Sequence, residues 1–224
     1  MISTIELVMS NGRGQTRKRE FEAVSKLIDG RLHSVGRIVW PNHLRGMTIL
    51  TIEAGERGHD AFVYMPAMKI VRRISTAQRG DSFFGTDVTY EDLERRRIGD
   101  YVLESLESAE VAGEPVFVVT GAPHQKQTYS KVTFAISRAD HAILEIRFFK
   151  RDQPEPYRIV TSKRDSMVER AGHVLPLKMT VRDLRQGSTT EVFFRDLQVD
   201  PEIDDHVFSV RTLEQQRDLP QPES

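Results

Sequence analysis

Short apolar runs alternate with polar residues along most of the chain, and turn residues separate these runs at intervals of roughly 8 to 12 residues. This spacing is typical of antiparallel sheets and barrels, in which each run forms one strand. The clearest hairpin joins Tyr129 to Ile136 with Ala142 to Phe149, and in its second strand Leu144, Ile146 and Phe148 share one face. The pattern therefore predicts a mainly β fold of about ten or eleven strands.

The amino-terminal quarter contains a predicted turn and two less regular segments. Asn11-Gly12 separates extended runs and predicts a hairpin, because this dipeptide is a strong signal for a tight turn. The charged segment Arg17 to Lys26 suits a solvated strand near a sheet edge, although its apolar spacing would also fit a short helix. Met47 to Ile52 is apolar on both faces, which predicts a strand covered on both sides by core or by ligand. The spacing Gly55-x-x-Gly58 predicts the following turn.

Residues 60–97 carry the most distinctive pattern of the chain. Two apolar runs meet at Pro66, which predicts two strands joined at a tight corner, because proline has no amide hydrogen to give to a ladder. The polar loop Ser75 to Thr86 follows and contains two adjacent aromatic residues, Phe83 and Phe84. Since loops are normally solvated, these two rings require a buried location.

A short helix is predicted directly after this loop. Thr89-x-x-Asp92 is a loose capping box, with aspartate in place of the usual glutamate or glutamine, and it predicts a helix from Tyr90 to about Arg97. Acidic residues occupy the beginning of this segment and arginines its end, an order that complements the helix dipole.

The same stretch resembles the signature of the outer-membrane lipoprotein-sorting protein family. The resemblance rests on Val63 to Ser75 (VYMPAMKIVRRIS), Ser82 to Asp87 (SFFGTD) and Thr89 to Leu93 (TYEDL), and it extends more weakly from about Trp40 to Phe208. It implies a strongly curved antiparallel sheet, an incomplete barrel with helices across its open face, that holds acyl chains. It also implies a periplasmic location and an association with exporters of the resistance-nodulation-division type.

On this resemblance we expect one lipoprotein-carrier-like β domain over residues 1–210, a curved antiparallel sheet forming an incomplete barrel with a short helical lid. We expect residues 211–224 to form a flexible carboxy-terminal tail. The candidates for the lining of an acyl cavity are Leu50, Ile52, Phe62 and Tyr64. The candidates for the lid are Phe83, Phe84 and Tyr90.

Three arginines near the loop have two interpretations. Arg72, Arg73 and Arg79 would bind a phosphate or carboxylate headgroup at a cavity mouth, since guanidinium groups match such anions bidentately. Alternatively they pair with nearby acids and fix the loop to the sheet edge, a role favoured by the closeness of these acids in sequence. The acids in question are Asp81, Asp87, Glu91 and Asp92.

Composition bounds the classes of partner. The formal net charge is −1 with 29% charged residues, so the sequence predicts neither a nucleic-acid partner nor a global attraction to an anionic bilayer. Cysteine is absent, which excludes disulfides, thiolate catalysis and cysteine-ligated metals. No run approaches the roughly 18 apolar residues of a transmembrane segment. The first residues are not a secretory signal, so a periplasmic location would require a signal segment absent from this sequence.

Catalytic and metal-binding motifs are also missing from the pattern. There is neither a G-x-S-x-G elbow nor an H-E-x-x-H helix. His59-Asp60 and Asp140-His141 could each orient an imidazole as a general base, but both fall at predicted turns. The acids from Asp200 to Asp205 lack the ligand order of a calcium loop and suit an acidic turn with Asp200 as its cap. We therefore expect no enzyme activity, no cofactor and no metal.

The predicted function is the binding and transfer of a lipid or lipoprotein acyl chain in a hydrophobic cavity, by a monomer, without catalysis. Two alternatives stay open: an accessory module of an exporter of the resistance-nodulation-division type, and a hydrolase of unknown type. An apolar cavity of roughly several hundred cubic ångströms would favour the carrier. Polar groups converging in a cleft would favour the hydrolase.

Overall fold

The computed structural model describes residues 1–55 and 58–222. Within them the chain forms fifteen strands, several short 3₁₀ helices and the α-helix α1 (Val210–Gln215). The strands, in chain order, are β1 (Ile2–Ser10), β2 (Thr16–Ile28), β3 (Arg31–Trp40), β4 (Thr48–Glu53), β5 (His59–Met65), β6 (Ile70–Arg73), β7 (Tyr101–Val111), β8 (Glu114–Pro123), β9 (Lys131–Ser137), β10 (Ile143–Phe149), β11 (Arg158–Ser162), β12 (Met167–Arg170), β13 (His173–Pro176), β14 (Lys178–Asp183) and β15 (Ser188–Gln198).

Thirteen of these strands form one sheet, in the order β6-β5-β4-β3-β2-β1-β15-β14-β11-β10-β9-β8-β7, and β12 pairs separately with β13. Within the described residues the end strands β6 and β7 are not neighbours, so the sheet does not close into a barrel. The prediction of a mainly β fold built on a curved, incompletely closed antiparallel sheet is confirmed. The sheet has more strands than the ten or eleven expected.

The chain divides into two compact units. Unit 1 comprises Met1–Val8, Arg17–Arg95 and the chain from Phe193 onwards, and unit 2 comprises Met9–Thr16 and Arg96–Val192. The expectation of one domain over residues 1–210 stays a prediction.

The amino-terminal hairpin differs in detail from its prediction. β1 and β2 are neighbours in the sheet, as the Asn11-Gly12 turn predicted, but the residue with positive φ is Gly14, at +74°. β2 is a strand, so the helical alternative for Arg17 to Lys26 is wrong. It also lies between β1 and β3, so the expected edge position is wrong, and its exposed residues are the first three and Leu27.

Both faces of the sheet in unit 1 carry apolar residues, as expected for strands that are covered on both sides. Val24, Val35, Leu50 and Phe62 are aligned across β2 to β5, and because side chains alternate along a strand they share one face. Phe21, three residues before Val24, points to the opposite face together with its cross-strand partner Ile38. The predicted turn Gly55-x-x-Gly58 joins β4 to β5, and its two central residues lie outside the described residues.

The carboxy-terminal segment, residues 200–222, packs against the first of these faces. Its apolar residues Ile203, Phe208, Leu213 and Leu219 are 1% to 5% exposed and belong to one cluster with Leu50 and Tyr64. Lys26 Nζ donates to the Ile203 carbonyl at 2.7 Å, and Arg37 Nη2 donates to the Arg217 carbonyl at 2.5 Å.

This arrangement bears on two expectations about the end of the chain. Leu213 and Leu219 are buried on the sheet, and the expectation that residues 211–224 form a flexible tail stays a prediction. The side chain of Asp204, rather than that of Asp200, caps the short helix Asp205–Phe208, by accepting a hydrogen bond from the His206 amide.

Unit 2 contains one continuous apolar row. Its members, aligned across six neighbouring strands, are Leu106, Val119, Phe134, Ile146, Val160 and Val181. Val181 is buried, the four central residues are half-buried, and Leu106 is 68% exposed. On the other face, Arg147 Nε donates to Glu145 at 2.6 Å. The predicted hairpin of β9 and β10 is confirmed, but its expected dry and wet faces are not. After a register shift between Ile143 and Glu145, Leu144 packs with Ala135, the buried partner of Glu145, and not in the cluster of Ile146 and Phe148.

Candidate functional site

A groove of about 340 Å³ lies in unit 2 at one end of this apolar row. Most of its lining is apolar, and the polar contributions come from His141, Glu145 and Ser162. The apolar residues of the lining are Ala142, Ile143, Leu144, Ile146, Val160, Met167, Val174, Pro176 and Met179.

The groove exists because the chain between β11 and β14 makes a second hairpin. β11 and β14 are paired as far as Ser162 and Met179, and the intervening residues form β12 and β13. That hairpin supplies Met167, Val174 and Pro176, whereas β10, β11 and β14 supply the sheet side of the groove. Methionine side chains are flexible and polarisable, so this lining can adapt to apolar ligands of different shape.

One arginine anchors the start of the β12–β13 hairpin. Arg164 forms ion pairs with Glu114 and with Asp140, the latter at 2.6 Å. The hydrogen bond from Arg164 is the main reason why the pKa of Asp140 falls to about 2. These groups are exposed, so each pair contributes only about 0 to 1 kcal/mol to stability. Their effect is to fix the position of the hairpin beside the sheet.

The predicted cavity residues lie elsewhere, in unit 1. Leu50 is fully buried and Tyr64 is 6% exposed, while Ile52 and Phe62 are partly buried around the same cluster. The carboxy-terminal segment covers all four. An acyl chain would therefore have to displace that segment, and the prediction that these residues line a cavity stays a prediction.

The predicted lid residues come together, but on the opposite face of the sheet in unit 1. Phe83 is 5% exposed, stacks on Phe21 with ring centroids 5.2 Å apart, and contacts Phe84 and Tyr90 at 4.7 and 5.7 Å. Since Phe21 faces away from the cluster around Leu50, the aromatic residues do not cover the predicted cavity residues. Their role as a lid stays a prediction.

The helix predicted after this loop is shorter than expected. The capping box is present, with the Thr89 amide donating to Asp92 Oδ2 at 2.8 Å, but only Tyr90–Leu93 are helical, as a 3₁₀ turn. Glu94 is already extended, with φ −83° and ψ 143°, and its carboxylate bonds Arg79 at 2.6 Å.

The three predicted arginines are in different surroundings. Arg73 pairs with Asp60, and Arg79 pairs with Glu94, two acids that were not among the partners expected from the sequence. Arg79 and Glu94 are both largely buried, whereas Arg72 is exposed. The geometry favours the structural role for Arg73 and Arg79. Headgroup binding by the three arginines stays a prediction.

His59 belongs to the same buried polar cluster. Its Nδ1 lies 3.5 Å from the Glu94 carboxylate, and its Nε2 accepts the Arg95 amide at 3.2 Å. Burial by itself would raise the pKa of Glu94, but the hydrogen bonds from His59 and Arg79 outweigh it and the pKa is lowered. Because both ring nitrogens are engaged, His59 is poorly placed to act as a general base.

Among residues 1–55 and 58–222, no group of three or more histidine, aspartate or glutamate side chains is arranged to hold a metal ion. No helix within these residues is long and apolar enough to cross a membrane.

The sequence did not predict the groove, nor that the carboxy-terminal segment covers Leu50. A signal for the cover was present, because Leu213 and Leu219 are apolar residues in a segment otherwise rich in charge. The groove gave a weaker signal, since Met167, Val174 and Met179 are spread over three short strands whose pairing decides whether they meet.

Three solved structures have the same fold as this chain. A domain from Vibrio parahaemolyticus, assigned to the outer membrane lipoprotein-sorting proteins, has a TM-score of 0.87 and 23% identity, covering 95% of this chain and 90% of that one. A DUF1329 family protein from Desulfovibrio piger has a TM-score of 0.89 and 22% identity, covering 95% of this chain and 90% of that one. A LolA superfamily protein from Nitrosomonas europaea has a TM-score of 0.72 and 19% identity, covering 94% of this chain and 90% of that one.

The chain thus has the fold of the lipoprotein-sorting proteins and the LolA superfamily, which confirms the predicted resemblance. A family model described as "-like: Uncharacterized protein" matches residues 31–215, and the chain belongs to this family. No curated protein gives a significant match.

Proposed function

We propose that this protein binds the acyl chains of a lipid or lipoprotein in the groove of unit 2 and passes them on without catalysis, in the periplasm. The observation that carries the proposal is the groove itself, an apolar cleft of about 340 Å³ that the chain does not fill with its own side chains. Sites for small ligands usually measure about 300 to 1,000 Å³ and are mostly apolar.

The apolar row supports the proposal by extending the groove along the sheet. Phe134, Ile146 and Val160 are half-buried neighbours, and the row ends at the exposed Leu106. An apolar row left partly exposed across several strands is unusual for a surface that has no partner. A flexible, unbranched chain could lie along such a row while its end enters the groove.

The energetics favour weak, reversible binding. Each methylene removed from water contributes about 0.8 kcal/mol, so a segment of roughly ten methylenes would contribute about 8 kcal/mol before the cost of ordering it. That total corresponds to a dissociation constant of about 1 μM or weaker. Such an affinity suits a carrier, which must release its cargo to an acceptor.

The fold of the neighbours adds independent support, because two of them are described as lipoprotein-sorting or LolA superfamily proteins. An accessory role beside an exporter, and action as a monomer, stay predictions. The hydrolase alternative also stays a prediction: both ring nitrogens of His59 are engaged, whereas His141 lines the groove.

The test is a titration of delipidated protein with a fluorescent fatty acid. Val160→Trp should fill the groove and abolish saturable binding, since Val160 lines it. Arg182→Trp is the matched control, because Arg182 is an exposed residue of the neighbouring strand β14, lies on the face opposite to Val181 and is not one of the residues that line the groove. Ile52→Trp examines the cavity predicted from the sequence.

Saturable binding by the wild type, by Arg182→Trp and by Ile52→Trp, with loss in Val160→Trp, would support the groove. Loss in Ile52→Trp alone would transfer the site to the face now covered by the carboxy-terminal segment. If the delipidated wild type does not bind, or if all variants bind equally, the carrier proposal fails.

A further inference from the structure

A second pocket, of about 350 Å³, lies at the beginning of β2 in unit 1. We call it the basic pocket, after the residues that line it: Arg17, Lys18, Arg19, Trp40, Pro41 and His43. It contains none of the residues discussed above as candidates for acyl or headgroup binding.

The strand register explains why this pocket exists. β2 and β3 are paired from Glu20, opposite Trp40, and β3 ends at Trp40. The chain then turns into the 3₁₀ helix Asn42–Leu44, which carries His43. The three basic residues before Glu20 therefore extend past the end of β3, and the turn after Trp40 borders the space beside them.

The positive charges of this pocket are only partly neutralised by the protein. Lys18 pairs with Glu6 at 2.8 Å and with Glu20 at 2.7 Å. Arg17 and Arg19 make no ion pair within residues 1–55 and 58–222, and Arg45 is exposed on the same turn as His43. A local excess of positive charge remains, although the whole chain carries a formal net charge of −1.

Arg19 is a second cation beside Arg17 in the pocket lining. Its Nη1 donates to the Lys18 carbonyl at 2.9 Å, and its Nε is buried without a hydrogen-bond partner in the described part of the chain. Burial and the charge of Arg17 lower the pKa of Arg19, in keeping with two like charges held close together.

The indole beside these cations narrows the class of ligand. Trp40 is 47% exposed at the rim, where it has an apolar ring and one polar N–H group. Tryptophan and basic side chains together favour the headgroup level of a bilayer, where the ring meets the acyl boundary and the cations meet the phosphates. A free phosphate would gain little from the exposed ring.

We propose that the basic pocket binds the phosphate of an anionic phospholipid headgroup and is the surface by which the protein docks on a bilayer. Guanidinium groups suit this role because they donate two parallel hydrogen bonds to a phosphate. The proposal goes beyond acyl binding and does not depend on it, since it concerns different residues and a different part of the ligand.

The experiment uses Trp40 as its own reporter, because it is the single tryptophan of the chain. Vesicles of phosphatidylglycerol and phosphatidylcholine should shift its emission to the blue, and pure phosphatidylcholine vesicles should not. Each basic residue near an anionic surface strengthens binding about fivefold, so Arg17→Gln with Arg19→Gln should weaken it roughly 30-fold. Arg31→Gln with Arg211→Gln is the control, since both arginines are exposed in the same unit.

The expected result is binding that weakens with salt, is about 30-fold weaker in the pocket double variant and is kept in the control. Equal weakening by the two double variants would show a general charge effect and overturn the proposal. A response to glycerol phosphate without any response to anionic vesicles would also overturn it, because the site would then bind a soluble anion.

Discussion

Replacing Leu219 or Leu213 with alanine tests whether the carboxy-terminal segment is part of the folded core. Both side chains are almost fully buried, at 3% and 1% exposure, and they pack in the cluster that contains Leu50 and Tyr64. If the last residues were instead a mobile tail, both substitutions would affect only solvent-exposed groups.

The expected magnitudes are well separated. Replacing a buried leucine with alanine costs about 2 to 5 kcal/mol, because transfer free energy is lost and a cavity remains. The same change at an exposed position usually alters the stability by less than about 0.5 kcal/mol. Leu219 lies outside regular secondary structure, so its backbone can relax, and we expect a cost near 2 kcal/mol there and about 3 kcal/mol at Leu213.

Urea denaturation measured by Trp40 fluorescence is the appropriate assay, because Trp40 belongs to the same compact unit as the segment. With a denaturant dependence of about 2 to 3 kcal/mol per molar, a loss of 3 kcal/mol lowers the midpoint by roughly 1 M or more. Leu27→Ala is the matched control, since Leu27 is 53% exposed on β2.

Midpoints of the Leu213 and Leu219 variants that shift no more than that of Leu27→Ala would refute the reasoning. The face around Leu50 would then be accessible, and the acyl site predicted from the sequence would regain support. A large shift at Leu213 alone would place the boundary of the folded core between the two leucines.

Two other predictions concern the segment from Ser75 to Arg97. Phe83→Ala should lower the free energy of unfolding by about 3 to 5 kcal/mol and speed tryptic cleavage at Arg79. Phe84→Ala should have a smaller effect on both, because Phe84 is only half-buried. Equal effects of the two substitutions would contradict the stacking of Phe83 on Phe21. The pKa of Glu94 is lowered from its usual value of 4.5, so the charged carboxylate stabilises the fold above pH 4.5 and this contribution is lost as the pH falls below it. The wild type should therefore lose stability more steeply than Glu94→Gln below pH 4.5. Parallel pH profiles of the two proteins would contradict this.

The sequence was sufficient for the fold class because local and global signals agreed. Alternation predicted the strand pairs, and the hairpin of β9 and β10 formed. The capping box at Thr89 and Asp92 also formed, but its helix ends at Leu93, and the next residue, Glu94, bonds Arg79. That contact joins residues 15 positions apart and is not visible in a local pattern.

The candidate site was harder to predict because its location depends on which face is covered, and by what. The double-sided apolar pattern around Leu50 correctly indicated cover on both faces, but the choice between core and ligand needed the path of the chain after residue 200. The acids that pair with Arg73 and Arg79 in the structure were not predicted, for a related reason. Asp60 and Glu94 are adjacent to Arg73 and Arg79 in space, whereas the acids closest in sequence were the ones predicted.

Covalent connection is the reason to place an acyl chain in the groove of unit 2 rather than over Leu50. The carboxy-terminal segment is tethered to the sheet it covers, so its effective concentration there is of millimolar order. A free acyl chain at micromolar concentration would have to displace that segment, which is also held by its buried leucines and by hydrogen bonds from Lys26 and Arg37. In the groove no tethered side chain needs to leave, so each methylene that enters contributes directly to binding. The same comparison predicts that weakening the cover, as in Leu219→Ala, should leave fatty-acid binding in the groove unchanged.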